Sequence, residues 1–509
     1  MIFHCLHNFE RNSVQSIPLL ATLLLAACGG GSSGDSTPDT PDEVDAVCTG
    51  DSTPPSNPVL YLSDIDGVRP VNLYLADRDQ PEAGSVVVNG PLTAQQSIES
   101  FALSPDNRCV VYISDEDNTG RFSLYSVDLA TPGVSARLNP ALSANQDVLS
   151  FVISPDSREV LYTADQDVSN QTELFLVELA QPGVTVQVNP ELIAEGDVSS
   201  RDIAFSPDGS QLLYAADQRT VGLFEIFLVE KSVPGVSAVV NGSFAEFVTL
   251  ATGFGFSPDG NWIGYMADQD IDTIRELYAV DVSSLGNSVK LNPPYTGEED
   301  LCTFEFRPDS QAVAYCADQD TEDKLELYAV SLDTPGISTK LNPPIVTGGE
   351  VRSDFQHAPG SDYIVYVADQ ETAGVDELYR VNFDSPGVSE KVNAALIDGG
   401  DVDLFEIRPD GLAIAYVADQ DTNDVFELYQ LSLVPPGEMA EKLNPARVGN
   451  DLIPIAYSAD SAHIMYVADE AIAGRQQLYR IDLDEAGVSV QLNTLLVAGG
   501  QVFDFIIPR

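Results

Sequence analysis

Residues Tyr416–Leu433 read YVADQDTNDVFELYQLSL, and relatives of this stretch recur along the chain. In each copy a tyrosine opens the motif, an Asp follows three residues later, and an aromatic residue follows thirteen after the tyrosine. The openings are Tyr61, Tyr112, Tyr162, Tyr214, Tyr265, Tyr315, Tyr366, Tyr416 and Tyr466, in steps of 50 to 52 residues. A period of that length is the mark of propellers and solenoids, in which no unit can bury its apolar face alone.

The copy from Asp401 to Asn444 shows the plan of one unit. Asp403 to Ile407 predicts a short strand, and Arg408-Pro409-Asp410-Gly411 a type I turn, with Pro second and Gly fourth. Ala413 to Ala418 is apolar on both faces, as a strand buried between layers must be. Asp419 to Val425 reads as a polar loop. Glu427 to Leu433 alternates, which predicts a strand with one wetter face. Pro436-Gly437 suits a type II turn, and Glu441 to Leu443 a short outer strand closed by Asn444-Pro445. The first turn recurs as Ser104-Pro105-Asp106, Ser154-Pro155-Asp156, Ser206-Pro207-Asp208, Ser257-Pro258-Asp259 and Arg307-Pro308-Asp309, and the closing Asn at 89, 139, 189, 241, 292, 342, 393, 444 and 493. Four antiparallel strands per unit make one blade of an all-β propeller.

The period is out of phase with the ends of the repeat region. The first copy starts at its second strand, Val59 to Leu62, while Val502 to Arg509 (VFDFIIPR) resembles a first strand with the proline of its turn. The C-terminal strand is therefore expected to complete the N-terminal blade and leave no open edge at the seam. This gives a single closed propeller of nine blades; eight, with a poorly formed terminal copy, is the alternative.

The chain has 509 residues, 44% of them hydrophobic, with 79 Asp and Glu against 24 Lys and Arg, a net charge of −55. Such a surface repels nucleic acid and anionic lipid and attracts cations or basic partners, besides serving solubility. Residues 1–27 read as an export signal whose apolar run, Ile17 to Leu25, is too short to span a bilayer. It ends in Leu25-Ala26-Ala27-Cys28, which resembles the lipobox of bacterial lipoproteins. The resemblance implies lipidation of Cys28 and, with Gly29 following rather than Asp, the outer membrane, facing the periplasm or the cell surface. Residues 28–57, rich in Gly, Ser, Thr, Pro and Asp, read as a flexible tether, and residues 58–509 as the propeller. Of the four exported cysteines beyond Cys28, Cys302 and Cys316 flank one hairpin and fall nearly opposite each other by count. Cys48 is then left for Cys109, with four buried free thiols as the alternative.

The S-P-D-G turn, the strand ending in Y-x-A-D-x-D and the E-L-Y strand together resemble the TolB-type, WD-repeat-like propeller repeat, over about residues 58 to 509. The resemblance implies a non-catalytic envelope protein with a protein or peptidoglycan-associated partner. The chain departs from that family in having more blades and in carrying its own lipidation signal.

Residues present in every blade serve the blade, whereas single-site chemistry needs residues that differ. Each loop after the second strand opens with Asp, most add a second acidic residue two positions on, and six add Glu eight after the first. The sets Asp165/Asp167/Glu173, Asp268/Asp270/Glu276, Asp318/Asp320/Glu326 and Asp419/Asp421/Glu427 are candidate Ca²⁺ ligands. The competing role for these Asp side chains is to accept backbone N–H groups and fix the turn. Beyond the leader the histidines are His357 and His463, expected at the surface. The repeat region contains no HExxH, GxSxG or Cys-x-x-Cys. Trp262, Tyr363, Phe244 and Phe247 are unique aromatics, expected to pack rather than bind. The leading expectation is a monomeric binding or scaffold lipoprotein without cofactor. It holds the membrane only through its lipid and offers an acidic rim to an envelope partner. The rivals are a propeller lyase or hydrolase with a metal at the rim, and a Ca²⁺-stabilised carbohydrate binder.

Overall fold

A computed structural model describes Cys48 and residues 55–65, 67–243, 250–271, 273–295, 300–433, 440–445 and 452–508. The export signal, Cys28, most of the tether, Phe244, Phe247 and the Pro436-Gly437 turn lie outside the described residues.

Nine four-stranded antiparallel sheets form a ring, with almost no helix. We number them blade 1 to blade 9 in chain order of their second strands. Blade 8 is typical: Val402–Ile407, Ala413–Ala418, Glu427–Ser432 and Glu441–Lys442, paired in sequence. These bounds match the sequence reading to within a residue or so, and the eight-blade alternative is set aside. Pairing of the third strand with the second continues one residue past Ser432, where the Leu433 N–H donates to the Leu412 carbonyl at 2.8 Å. The first strands are innermost, since Val198–Phe205 of blade 4 lies against the first strands of both neighbours, Val148–Ile153 and Leu250–Phe256.

Blade 1 is composite. Pro58–Ser63, Asn72–Asp77 and Val86–Val87 receive Val502–Ile506 as their innermost strand, with Tyr61 opposite Phe505. The seam is sealed by Val502, Phe505 and Ile507, which are buried with Val59, Tyr61, Met465 and Val467. Arg78 also reaches Asp460 of blade 9 at 2.8 Å.

The repeated tyrosine explains why the unit is so uniform. It faces the aromatic of the third strand, as Tyr416 faces Tyr429, and the rings stack with centroids 5.4 Å apart. All nine copies do this at 5.3 to 5.7 Å. Burial of a ring that size contributes about 2–3 kcal/mol, and an offset aromatic pair adds about 1. The hydroxyl then reaches the residue four positions on, as Tyr315 to Gln319 at 2.7 Å, and that amide passes the bond to Ser338 of the fourth strand. The closing Asn, just past the fourth strand, ties back to the third: Asn342 Oδ1 accepts the Leu327 N–H at 2.8 Å and its amide donates to the Pro343 carbonyl. Gly336, with φ +76°, turns the chain between third and fourth strands and donates its N–H to the Leu291 carbonyl of the preceding blade. Adjacent blades are thereby joined by backbone hydrogen bonds as well as by apolar packing.

Candidate functional site

The loops after the second strands and the loops between blades share one rim, and the repeated Asp binds them together. Asp165 Oδ1 accepts the Asp147 N–H at 2.6 Å, from the loop entering blade 3, and Oδ2 accepts the Asn170 N–H at 2.9 Å. Asp318 does the same for Asp300 and Asp323, and Asp419 for Asp401 and Asp424. Asp268 accepts the Thr273 N–H. All four are buried, and each accepts the backbone N–H five residues on, which closes its loop. Even the seam obeys: Asp64 Oδ1 accepts the Gln501 N–H at 2.8 Å.

The second loop carboxylates, Asp167, Asp270, Asp320 and Asp421, are exposed at the rim, and the following Glu residues are buried at the start of the third strands. In blades 5, 6 and 7 a lysine of the fourth strand sits between the two. Lys290 lies 2.7 Å from both Asp270 and Glu276, Lys340 2.8 Å from both Asp320 and Glu326, and Lys391 2.7 and 2.9 Å from Glu371 and Glu377. Blade 8 pairs Lys442 with Glu427. A tyrosine hydroxyl completes each of these four, as Tyr278 to Glu276 at 2.9 Å. In blades 5, 6 and 7 the place between the carboxylates is taken by an ammonium group. Among the described residues no three His, Cys, Asp or Glu side chains converge as a metal site requires.

The histidines correct the sequence reading. His357 ends the first strand of blade 7, Val351–His357, and is buried, not at the surface. It packs against Phe383, its Nε2 has no hydrogen-bond partner, and burial, aided by Arg307, pushes its pKa down to about 4. His463 is half-buried between Asp460 and Asp482, 3.7 and 3.3 Å away. Tyr363 stacks under the Arg380 guanidinium at 4.8 Å and Trp262 packs on an apolar cluster, so both serve packing. Cys302 and Cys316 are joined on neighbouring strands with Cα atoms 5.5 Å apart, and Cys48 is joined to Cys109 of blade 2 at 6.0 Å.

Sequence reasoning passed over the innermost strands. Asp202, Glu305, Asp354 and Asp504 lie there, and burial pushes each carboxyl up, Glu305 to about 7. Glu305 Oε2 accepts the His357 backbone N–H at 3.2 Å, tying blade 6 to blade 7. For Glu305 the available signal was a charged residue in a column that is small or apolar in blades 2 to 4, at Ala102, Val152 and Ala204.

No family model matches this chain, and no curated protein matches it. Among solved structures, one described as a eukaryotic initiation factor aligns with TM-score 0.55 and 9% identity, over 89% of this chain and 98% of that one. Prolyl oligopeptidase B from Galerina marginata gives 0.43 and 11%, over 73% of this chain and 55% of its own, so the chain spans about half the length of that protein. Oligogalacturonate lyase from Vibrio parahaemolyticus gives 0.41 and 14%, over 78% and 99%. At 9% identity the likeness to the initiation factor is one of fold alone, and the ring of nine sheets is what makes this chain a β-propeller.

Proposed function

We propose that this protein is a non-catalytic binding scaffold of the bacterial envelope, a TolB-like propeller that presents an acidic rim to a basic protein partner. The observation that carries the reading is the division of labour among the rim carboxylates. The first Asp of each loop is spent on backbone hydrogen bonds, while Asp117, Asp167, Asp270, Asp320, Glu371 and Asp421 stand exposed around the same rim, with Asp117, Asp270, Asp320 and Glu371 each also meeting one arginine or lysine. With a net charge of −55, such a rim draws in basic polypeptides and speeds their association. Variable loops on a rigid ring then supply selectivity. Cys28 carries the lipid that tethers the ring to the outer membrane.

The test is affinity capture from envelope extracts by the full-length, lipidated protein. A basic polypeptide should be retained at low salt, released at high salt and lost when Asp167, Asp270, Asp320 and Asp421 are all changed to Asn. Retention indifferent to salt and to these substitutions would overturn the reading. Radiolabelled fatty acid should mark the wild type and not Cys28→Ser.

A further inference from the structure

Blade 3 (Val148–Ile153, Glu159–Ala164, Glu173–Glu178, Thr185–Gln187) breaks the pattern of its neighbours at one place. Six blades bury a Glu at the start of the third strand, and five of them supply a cation to it. Blades 5 to 8 use Lys290, Lys340, Lys391 and Lys442. In blade 4 the second loop carboxylate is replaced by Arg219, which forks onto Glu225. Blade 3 keeps both carboxylates, Asp167 and Glu173, and has neither device. Gln187 stands where the lysine would be, and Phe175 stands where a tyrosine hydroxyl would complete the Glu. The Gln187 amide donates to Glu173 Oε1 at 2.6 Å. Glu173 Oε2 is left with no partner, although the residue is only 6% exposed. Asp167 lies close enough for its charge to add to the effect of burial in pushing the Glu173 carboxyl up.

A buried carboxylate oxygen without a donor is costly, and the chain solves the same problem in five other blades with a cation. We infer that the Asp167–Glu173 pair of blade 3 is a receptor for a primary ammonium group, filled by a lysine side chain of the partner. The inference rests on the acidic-rim reading above and names its specific contact. Its template is internal: Lys290 lies 2.7 Å from both carboxylates of blade 5 and 5.9 Å from the centre of the Tyr278 ring. Asp167 is exposed and Gln187 half-exposed, so the approach is from the rim, with the Gln187 side chain swinging aside. Two carboxylates are the acceptor set that holds an ammonium in blades 5 to 7, whereas Ca²⁺ takes six to eight oxygens.

The experiment uses the full chain with a short oligolysine peptide as probe and its Nε-acetylated form as control. Gln187→Lys restores the lysine found in blades 5 to 8 and should close the site from within. It should raise the melting temperature and weaken oligolysine binding by about tenfold, the scale of one partly buried charge pair. Glu173→Gln should weaken binding to a similar degree, and circular dichroism of both variants checks that the ring is intact. Oligolysine binding that acetylation abolishes but neither substitution changes would overturn the blade 3 site and leave the acidic rim standing. Failure of oligolysine to bind the wild type at low salt would overturn both. Stabilisation of the wild type by Ca²⁺ alone, lost in Gln187→Lys, would overturn the ammonium assignment in favour of a metal ion.

Discussion

Glu305 and His357 show how a residue's surroundings decide what its formula leaves open. Both face the tight junction of blades 6 and 7, and burial displaces their titrations in opposite directions, Glu305 up to about 7 and His357 down to about 4. For Glu305 the folded value lies above the unfolded value of 4.5, so its contribution is fully present below about pH 4.5 and lost as pH rises through about 7. For His357 the folded value lies below 6.5, so its contribution is present above 6.5 and lost as pH falls towards 4. Glu305→Gln, which copies Gln356 of the next blade, keeps the acceptor for the His357 N–H and removes the charge. Its expected effect is a gain on the order of 2 kcal/mol above pH 7 and little change below pH 5, read from thermal melts across that range. A variant that melts like the wild type at every pH would show that Glu305 is solvated as an ordinary carboxylate. The repeated Asp, Asn and Tyr were legible as residues the blade requires. Their partners were not, because a hydrogen bond between Asp165 and the Asp147 N–H spans 18 residues of chain.

At the scale of the element, strand bounds could be read closely because turn residues mark them and the second strand is apolar on both faces. Ala413–Ala418 is fully buried along its length, as its composition requires. The first strands were less legible, because bulges shift their register against the second strand, as between Leu301 and Thr303 of blade 6. That shift sets Thr303, not Cys302, opposite Cys316, and the disulfide crosses from within the irregular step. The two cysteines are 14 residues apart, and constraining a loop of that size in the unfolded chain contributes about 3 kcal/mol. The double substitution Cys302→Ala, Cys316→Ala should lower the melting temperature by several degrees and remove most of the effect of a reducing agent on that transition. Calorimetry with and without dithiothreitol gives the answer, and equal melting points for variant and oxidised wild type would mean the bridge adds nothing.

For the whole molecule the decisive feature is closure. Val502–Ile506 completes blade 1, and its Phe505 pairs with Tyr61 across more than 400 residues of chain. Removing residues 502–509 uncovers the faces of Tyr61, Met465 and Val467 and opens a bare strand edge. Three buried apolar side chains, Val502, Phe505 and Ile507, are lost, at about 2 kcal/mol each. The truncated protein should melt well below the full chain and associate through the exposed edge, seen by calorimetry and by size-exclusion chromatography. An unchanged transition would refute the seam.

The sequence by itself determined the unit and the way the ends meet, because a repeat prints its period and its phase directly in the chain, and the structure decided for nine blades over eight. The tertiary structure alone decided which charges are spent and which are spare. Lys290 and Glu276 are 14 residues apart and Arg78 and Asp460 are 382 apart, yet each pair meets as an ion pair. Burial, which sets the worth of a charge, depends on what the neighbouring blade lays over it. That is why the unpaired Glu173 of blade 3 could be seen only once the ring was closed.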